Sequence, residues 1–402
     1  MKNIIPYYNP NLRLSQLFRA LFVRKAREEC EGFYKAYSGK EYVLLTNNCR
    51  SALLLAYRAL FSDGVVLTSP LVCKVALLPI SESGNKIAFA DIDDKTWNID
   101  VKKLPNILPE SVKAIQLTHF GGIPGDVDNI IEYARAHNLF IIEDCAQGFG
   151  GMYRGKRLGT FGDVICFSGI KTAYGISGGV LATNDKQLYD KARKMLEGAS
   201  KEALFLCLYR ALRNCIDTYR SSCRLAQRLY SLLLRWRPSS KDKMHDSIKV
   251  QYPSVLTFKI LAYQLRKCGE LHRLRIIVAQ QFIKDLDGSL WKSNYSGDEL
   301  IVPAKLYLRN PRISSSTFIE RLSKQEIEAM HLQQKYASYY QDSLNDGLWR
   351  DALIISEDLK SFEKIHDTIV SVPLYENMTK KENVVLLEKM MDLYEKQKYN
   401  LV

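Results

Sequence analysis

The sequence predicts an α/β protein: a mostly parallel central sheet sandwiched by helices, followed by a smaller carboxyl-terminal α/β unit. Three observations predict it. Short apolar runs alternate with helix-period stretches from about residue 40 to 185. Several of those runs end in small polar or charged residues, as strands do at a ligand-binding edge. After Asp185 the pattern turns helical, and alternation returns near residue 300. A division near residue 247 gives a large domain over 1–247 and a small one over 248–402.

The elements follow in order. Residues 13–37 read as one amphipathic basic helix, with Leu14, Leu17, Phe18, Leu21 and Phe22 at helical spacing. A strand over 42–46 passes straight into a helix over 50–60. Strands at 65–68 and 87–91 follow, the second after the turn Ser83-Gly84-Asn85. A strand at 114–118 leads to a helix at 126–137, and strands at 139–142, 164–167 and 179–183 complete the set. Residues 186–236 read as helical, apolar and arginine-rich. A loop at 238–241 precedes one long helix over 254–286, where Leu256, Ile260, Tyr263 and Leu265 recur at helical spacing. The last unit is a strand near 300–302, a helix near 324–340, a strand near 368–372 and a helix near 379–396.

Composition narrows the class. With 47% hydrophobic and 25% charged residues the chain is globular rather than disordered. No apolar run approaches the ~18 residues of a membrane span. The first residues carry no apolar core or cleavage site of a secretory signal. Nine cysteines without a C-x-x-C pair read as reduced thiols, so a cytoplasmic location is expected. The net charge is +13, and residues 201–243 hold more than half of it, ten Lys or Arg against three acids. Such a field suits phosphates or an anionic membrane surface, and it also suits a solvated helix surface. Within it, residues 200–237 mix Leu204, Phe205, Leu208, Leu212, Leu225 and Leu229 with seven arginines. That stretch reads either as a dimer contact that buries its leucines or as an interfacial segment touching a membrane or a lipid-linked substrate.

Three segments carry chemistry. In TNNCRSALL, residues 46–54, a strand ends in small polar residues and a helix opens at once. Its first N–H groups can hold a phosphate, and Asn47 or Asn48 can equally be a plain cap. In IIEDCAQG, residues 141–148, Asp144 can pair with a pyridinium nitrogen or cap the next turn. In VICFSGIK, residues 164–171, Ser168 can hold a phosphate oxygen and Lys171 can form a Schiff base. Gly175, Gly178 and Gly179 follow closely and indicate tight backbone packing. The histidines lack metal-ligand spacing, and nucleophile-elbow, Walker and nicotinamide-binding patterns are absent.

Together these segments resemble the DegT/DnrJ/EryC1/StrS family of pyridoxal-phosphate sugar aminotransferases, which have the aspartate-aminotransferase type of fold. The ordered match runs from about 40 to 185. HFGGIPGDVDNIIEYARAHNLFIIEDCAQGFGGMYRGKRLGTFGDVICFS is its most specific stretch, and SVPLYENMTKKE, residues 371–382, is similar to the family's carboxyl-terminal segment. The resemblance implies pyridoxal 5′-phosphate as cofactor. It implies that Lys171 holds the cofactor and moves the proton, that Asp144 pairs with the ring nitrogen, and that Gln147 meets the phenolic oxygen. Ser168 with the N–H groups of Cys49 and Arg50 would hold the phosphate, and Asp91, Asp93 and Asp126 would order loops. It further implies a keto-sugar substrate, nucleotide-linked, glutamate as donor, and a homodimer.

The chain departs from the family pattern in several places. Cys73 stands where an aromatic residue usually stacks on the cofactor. The gap from Ser168 to Lys171 is two residues shorter than usual. Gly148 replaces a frequent histidine. The Asn-x-Arg segment that reaches a neighbouring subunit matches only Val250 and Tyr252, which leaves Arg50 or Lys74 as candidate partners for an anionic group. Members with histidine in place of the lysine act as dehydratases, and Lys171 argues against that branch. A fold-keeping, non-catalytic protein is the other alternative.

Overall fold

The computed structural model describes residues 5–235, 247–286, 291–331 and 353–399, except 299, 313, 357 and 377. Two helices open the chain where the sequence predicted one, α1 (Leu14–Leu21) and α2 (Ala26–Ser38). Lys25 lies between them at φ 47°, a left-handed turn that a continuous helix does not contain. Then come β1 (Tyr42–Thr46), α3 (Cys49–Leu60), β2 (Val65–Thr68), α4 (Lys74–Glu82), β3 (Lys86–Phe89), β4 (Val112–Thr118), α5 (Val127–Ala136) and β5 (Phe140–Asp144). A small hairpin, β6 (Met152–Tyr153) and β7 (Lys156–Arg157), precedes β8 (Val164–Ser168), β9 (Gly179–Thr183) and α6 (Lys186–Glu197). The sequence missed α4, which is apolar on most sides and contains Pro79, so it shows neither a clean period nor an uninterrupted helical run.

The arginine-rich stretch forms β10 (Ser200–Lys201), α7 (Leu204–Asp217) and α8 (Arg224–Arg235). Residues 236 and 237 lie outside the described part. After β11 (Gln251–Tyr252) the expected long helix is two, α9 (Val255–Leu265) and α10 (Cys268–Asp285). The former packs on α2 and the large sheet, the latter on the carboxyl-terminal elements, and one straight helix could not serve both. There follow β12 (Lys292–Ser293), β13 (Leu306–Arg309), α11 (Ser315–Ser323), β14 (Met330–His331), β15 (Leu353–Ile354), α12 (Lys360–His366), β16 (Ile369–Val372) and α13 (Lys380–Tyr399).

Two expectations fail here. Residues 300–302 are not a strand. Pro303 supplies no N–H, and the strand forms after it as β13. Residues 324–331 of the helix expected at 324–340 are not helical; a helix, α11, lies just before them, capped by Ser314, which accepts from the Thr317 N–H at 3.3 Å. Residues 332–340 lie outside the described part.

Eight strands form the main sheet in the order β1-β9-β8-β5-β4-β2-β3-β15, and β9 alone runs against the other seven. Strands β2, β8 and β9 are buried along their whole length, as a sheet covered on both faces requires. Leu53, Tyr57, Leu77 and Leu188 of α3, α4 and α6 cover one face. Tyr34 of α2, Phe258 and Leu265 of α9, with Phe149 and Phe167, fill a core on the other. A second sheet, β12-β13-β16-β14, is antiparallel throughout and packs with α10, α11 and α13.

Candidate active site at the carboxyl edge of the sheet

Parallel strands bring their carboxyl ends to one edge, and the predicted site residues collect there. Asp144 ends β5 and Ser168 ends its neighbour β8. Cys49 and Arg50 open α3 directly after β1, and Cys73 precedes α4 after β2. Gln147 lies in the turn after β5, and Lys171 in the loop from β8 to β9. Lys74, the first residue of α4, is at the same edge.

The shortened lysine loop closes on itself and on the start of α3. The Gly169 N–H donates to the Gly178 carbonyl at 2.8 Å, Gly175 N–H to Gly169 at 2.7 Å, and Gly178 N–H to Asn47 at 2.8 Å. Gly178 adopts φ 110°, a conformation side chains disfavour. A Cβ on Gly179 would sit 2.2 Å from the Asn48 carbonyl carbon and 2.5 Å from the Cys49 nitrogen. The glycines therefore let Lys171 ride on the helix start that carries Cys49.

Two further anchors hold this loop from α10. The His272 Nε2 is 2.8 Å from the Thr172 carbonyl. Burial pushes His272 down to about 4, so the ring is neutral at pH 7 and donates its Nε2–H. The Tyr174 hydroxyl donates to Glu376 at 2.5 Å, and Arg275 Nε reaches the same carboxylate at 2.5 Å. Arg275 also donates to the carbonyls of Pro303, Ala304 and Leu374.

The adjacent acids Glu143 and Asp144 have opposite environments. Burial would raise Glu143, but His119 Nε2 at 3.0 Å and the N–H groups of Gly159, Phe161 and Gly162 overcome it and hold the carboxyl below its usual range. Asp144 has one backbone donor, Ala146 at 3.0 Å. Burial pushes its carboxyl up, and Lys171 only partly opposes this. Burial likewise raises the Cys49 thiol, which lies 4.0 Å from Asp144, with Asp144 adding and Lys171 opposing. Glu143 is thus satisfied by the protein, whereas Asp144 is a buried acid short of donors. Gln147 is similar: its Oε1 is buried and has no hydrogen-bond partner. His119 fills the space beside Gly148, where a Cβ would lie 2.7 Å from the imidazole. Asp91 orders a loop, receiving Lys103 Nζ at 2.9 Å and the N–H of Phe362 at 2.9 Å.

Lys171 lines a cavity of about 290 Å³ together with residues the sequence did not single out. Tyr7 and Tyr8 come from the amino-terminal segment, Arg213 and Asp217 from α7, and Lys305 from the turn before β13. The Tyr8 hydroxyl donates to the Ile170 carbonyl at 3.1 Å, and Lys305 Nζ lies 5.2 Å from the Tyr7 ring centre. Lys305 and Arg213 are cations sharing the cavity of Lys171, a position the sequence had offered to Arg50 or Lys74. The basic stretch around Arg213 was the only sequence signal for this group. Tyr7, Tyr8 and Lys305 arrive from remote segments and had none.

Comparison with known proteins agrees with this geometry. The chain is 34% identical over 200 residues to GDP-perosamine synthase of Escherichia coli O157:H7, covering 46% of this chain and 55% of that protein. It is 37% identical over 182 residues to the spore coat polysaccharide biosynthesis protein SpsC of Bacillus subtilis, covering 44% and 46%. The matched part spans about half the length of either relative. Its fold superposes on PseC of Helicobacter pylori, an aminotransferase involved in the biosynthesis of pseudoaminic acid, with a TM-score of 0.73 at 20% identity, covering 98% of this chain and 100% of that one. Residues 22–205 match the DegT/DnrJ/EryC1/StrS aminotransferase family.

Proposed function

We propose that the protein is a pyridoxal-phosphate aminotransferase that converts a nucleotide-linked keto-sugar to an amino-sugar, with glutamate as donor, in surface-polysaccharide or antibiotic-sugar synthesis. Its relatives support the substrate class, since one is named for GDP-perosamine and another for spore coat polysaccharide. The observation that carries the reading is the buried, unpartnered Oε1 of Gln147, three residues after the buried acid Asp144. An unmet buried oxygen costs about 1–3 kcal/mol, so its retention favours a ligand that supplies the donor.

The residues fit the cofactor. Asp144 would hold the ring nitrogen protonated, and Gln147 would take the phenolic hydroxyl. Ser168 and the first N–H groups of α3, at Cys49 and Arg50, would receive the phosphate, as a helix start does. Cys73, half-buried just before α4, would pack on the ring. Pyridoxal phosphate, when bound, supplies an electron sink for the carbon that loses its proton. Lys171 Nζ takes that proton from the donor and returns one to the sugar carbon, acting as base and then acid. The walls of the cavity, Tyr7 and Tyr8 among them, would shield that transfer from water.

The reading includes a homodimer, a cytoplasmic location and two domains, 1–247 and 248–402, the second lending α9 and β15 to the first. A dehydratase of the same fold is the second reading, and Lys171 weighs against it. In the test, purified protein is reduced with borohydride and digested. Peptide mass spectrometry should find the pyridoxyl adduct on Lys171, and glutamate-dependent amine should appear on a keto-sugar from a panel. Lys171→Ala should lower turnover by roughly 10²–10⁴-fold. Protein that binds no cofactor would overturn the reading, and turnover without glutamate would favour dehydration.

A further inference from the structure

Three helices, α1, α7 and α8, turn apolar stripes outward. On α1, Leu14, Phe18 and Phe22 recur four residues apart, and the two phenylalanines are 62% and 69% exposed. Along α7, Leu204, Leu208 and Leu212 keep the same spacing, beside Phe205 at 72% exposure. On α8 the stripe is Leu225, Leu229 and Leu232, all exposed. Each stripe follows one helical face. The three helices belong to one surface, because α7 contacts both α1 and α8. Beneath it Ala20, Cys207 and Ala211 pack against Ile260 of α9 and Ile176 of the lysine loop.

Charge identifies what covers this surface. Exposed Arg19, Arg24 and Lys25 flank the stripe of α1, and Arg228 and Arg235 lie one step round from the leucines of α8. Residues 13–25 and 218–235 contain no acid, and the one acid in α7, Asp217, is buried. A two-fold contact would lay this patch on its own copy and set cations against cations. An anionic bilayer complements both parts, with leucine and phenylalanine entering the acyl boundary and arginine meeting lipid phosphates. Among the described residues no helix is long and apolar enough to cross a membrane, which leaves contact in the plane of the interface.

We infer that α1, α7 and α8 form a single docking surface for an anionic lipid bilayer. The inference does not depend on the aminotransferase reading. It does place the cavity of Lys171 close to the lipid, because the inner side of α7 supplies Arg213 and Asp217 to that cavity. One helix diameter, about 10 Å, then separates it from the membrane.

The test is flotation of the full chain with phosphatidylcholine vesicles, with and without phosphatidylglycerol. Binding is expected only to the anionic vesicles and should weaken with salt. Phe18→Ser combined with Phe22→Ser should weaken it by more than about tenfold. Arg228→Gln with Arg235→Gln should weaken it by roughly fivefold per arginine. These side chains are exposed, so both variants should melt like the parent, and sedimentation velocity should show an unchanged particle mass. Failure of the full chain to float with anionic vesicles overturns the inference. So do variants that float as well as the parent, and so does a fall in particle mass on removing the phenylalanines, which would make the surface a self-contact.

Discussion

At the scale of single residues, the Glu143–Asp144 pair shows what a sequence can and cannot say. Both acids stand at the end of an apolar run, and alternation along the strand sends them to opposite faces. The sequence located the pair but not the donors around each, because His119, Gly159, Phe161 and Gly162 come from other segments. The residues alone left Asp144 between a partner for a pyridinium nitrogen and a turn cap, and its environment now gives a prediction. Its carboxyl is raised in the fold, so the folded state favours the neutral form. Stability from this group is present at pH values below its unfolded pKa and is lost as pH rises through the raised value. Asp144→Asn keeps the acceptor for the Ala146 N–H and removes the charge. The cofactor-free variant should melt higher than the parent at pH 8 and no higher at pH 3, while transamination falls steeply. Differential scanning calorimetry at the two pH values checks the sign, and a variant less stable at pH 8 would show that the site is built to hold the ionised form.

At the scale of elements, the lysine loop is held by groups far away in sequence. The glycines at 175, 178 and 179 were legible as tight packing, but the anchors His272 and Glu376 were not. The first lies in the stretch read as one long helix, and the second meets Arg275 only after the chain has folded. His272 is pushed down to about 4 from an ordinary 6.5. A histidine lowered in the fold adds stability that is complete above pH 6.5 and is lost as pH falls towards 4. The difference amounts to about 3 kcal/mol. His272→Gln keeps a donor for the Thr172 carbonyl without the titration. Urea unfolding at pH 7.5 and 4.5 should therefore show a smaller acid loss in the variant than in the parent, by up to that amount. Glu376→Ala is a harsher change, because it leaves Arg275 buried without its carboxylate. It should cost about 3–5 kcal/mol and also reduce turnover, since Tyr174 loses its acceptor.

At the scale of the whole molecule, the parallel sheet was legible because its strands are short, apolar and separated by helices. The joint between the two sheets was not, because it depends on where α9 and β15 pack. Helix α9 follows residue 247, yet its Phe258, Leu261 and Leu265 are buried in the core over the large sheet, with Tyr34, Phe149 and Phe167. Strand β15 pairs with β3 at the edge of that sheet. A chain ending at residue 247 would lose both, and it would expose the aromatic side of the sheet. Burying each such side chain is worth about 1.5–3 kcal/mol, so the three from α9 alone contribute roughly 5–9 kcal/mol. That is comparable with the total stability of a typical domain. Residues 1–247 expressed alone should therefore give no cooperative thermal transition and should bind a hydrophobic dye. A fragment of residues 1–267, which restores α9, should recover a cooperative melt. It should still fail to hold the lysine loop, since His272 and Arg275 are missing. A sharp melt of the 1–247 fragment would mean that the large sheet closes its own core, and α9 would then belong to the second unit alone.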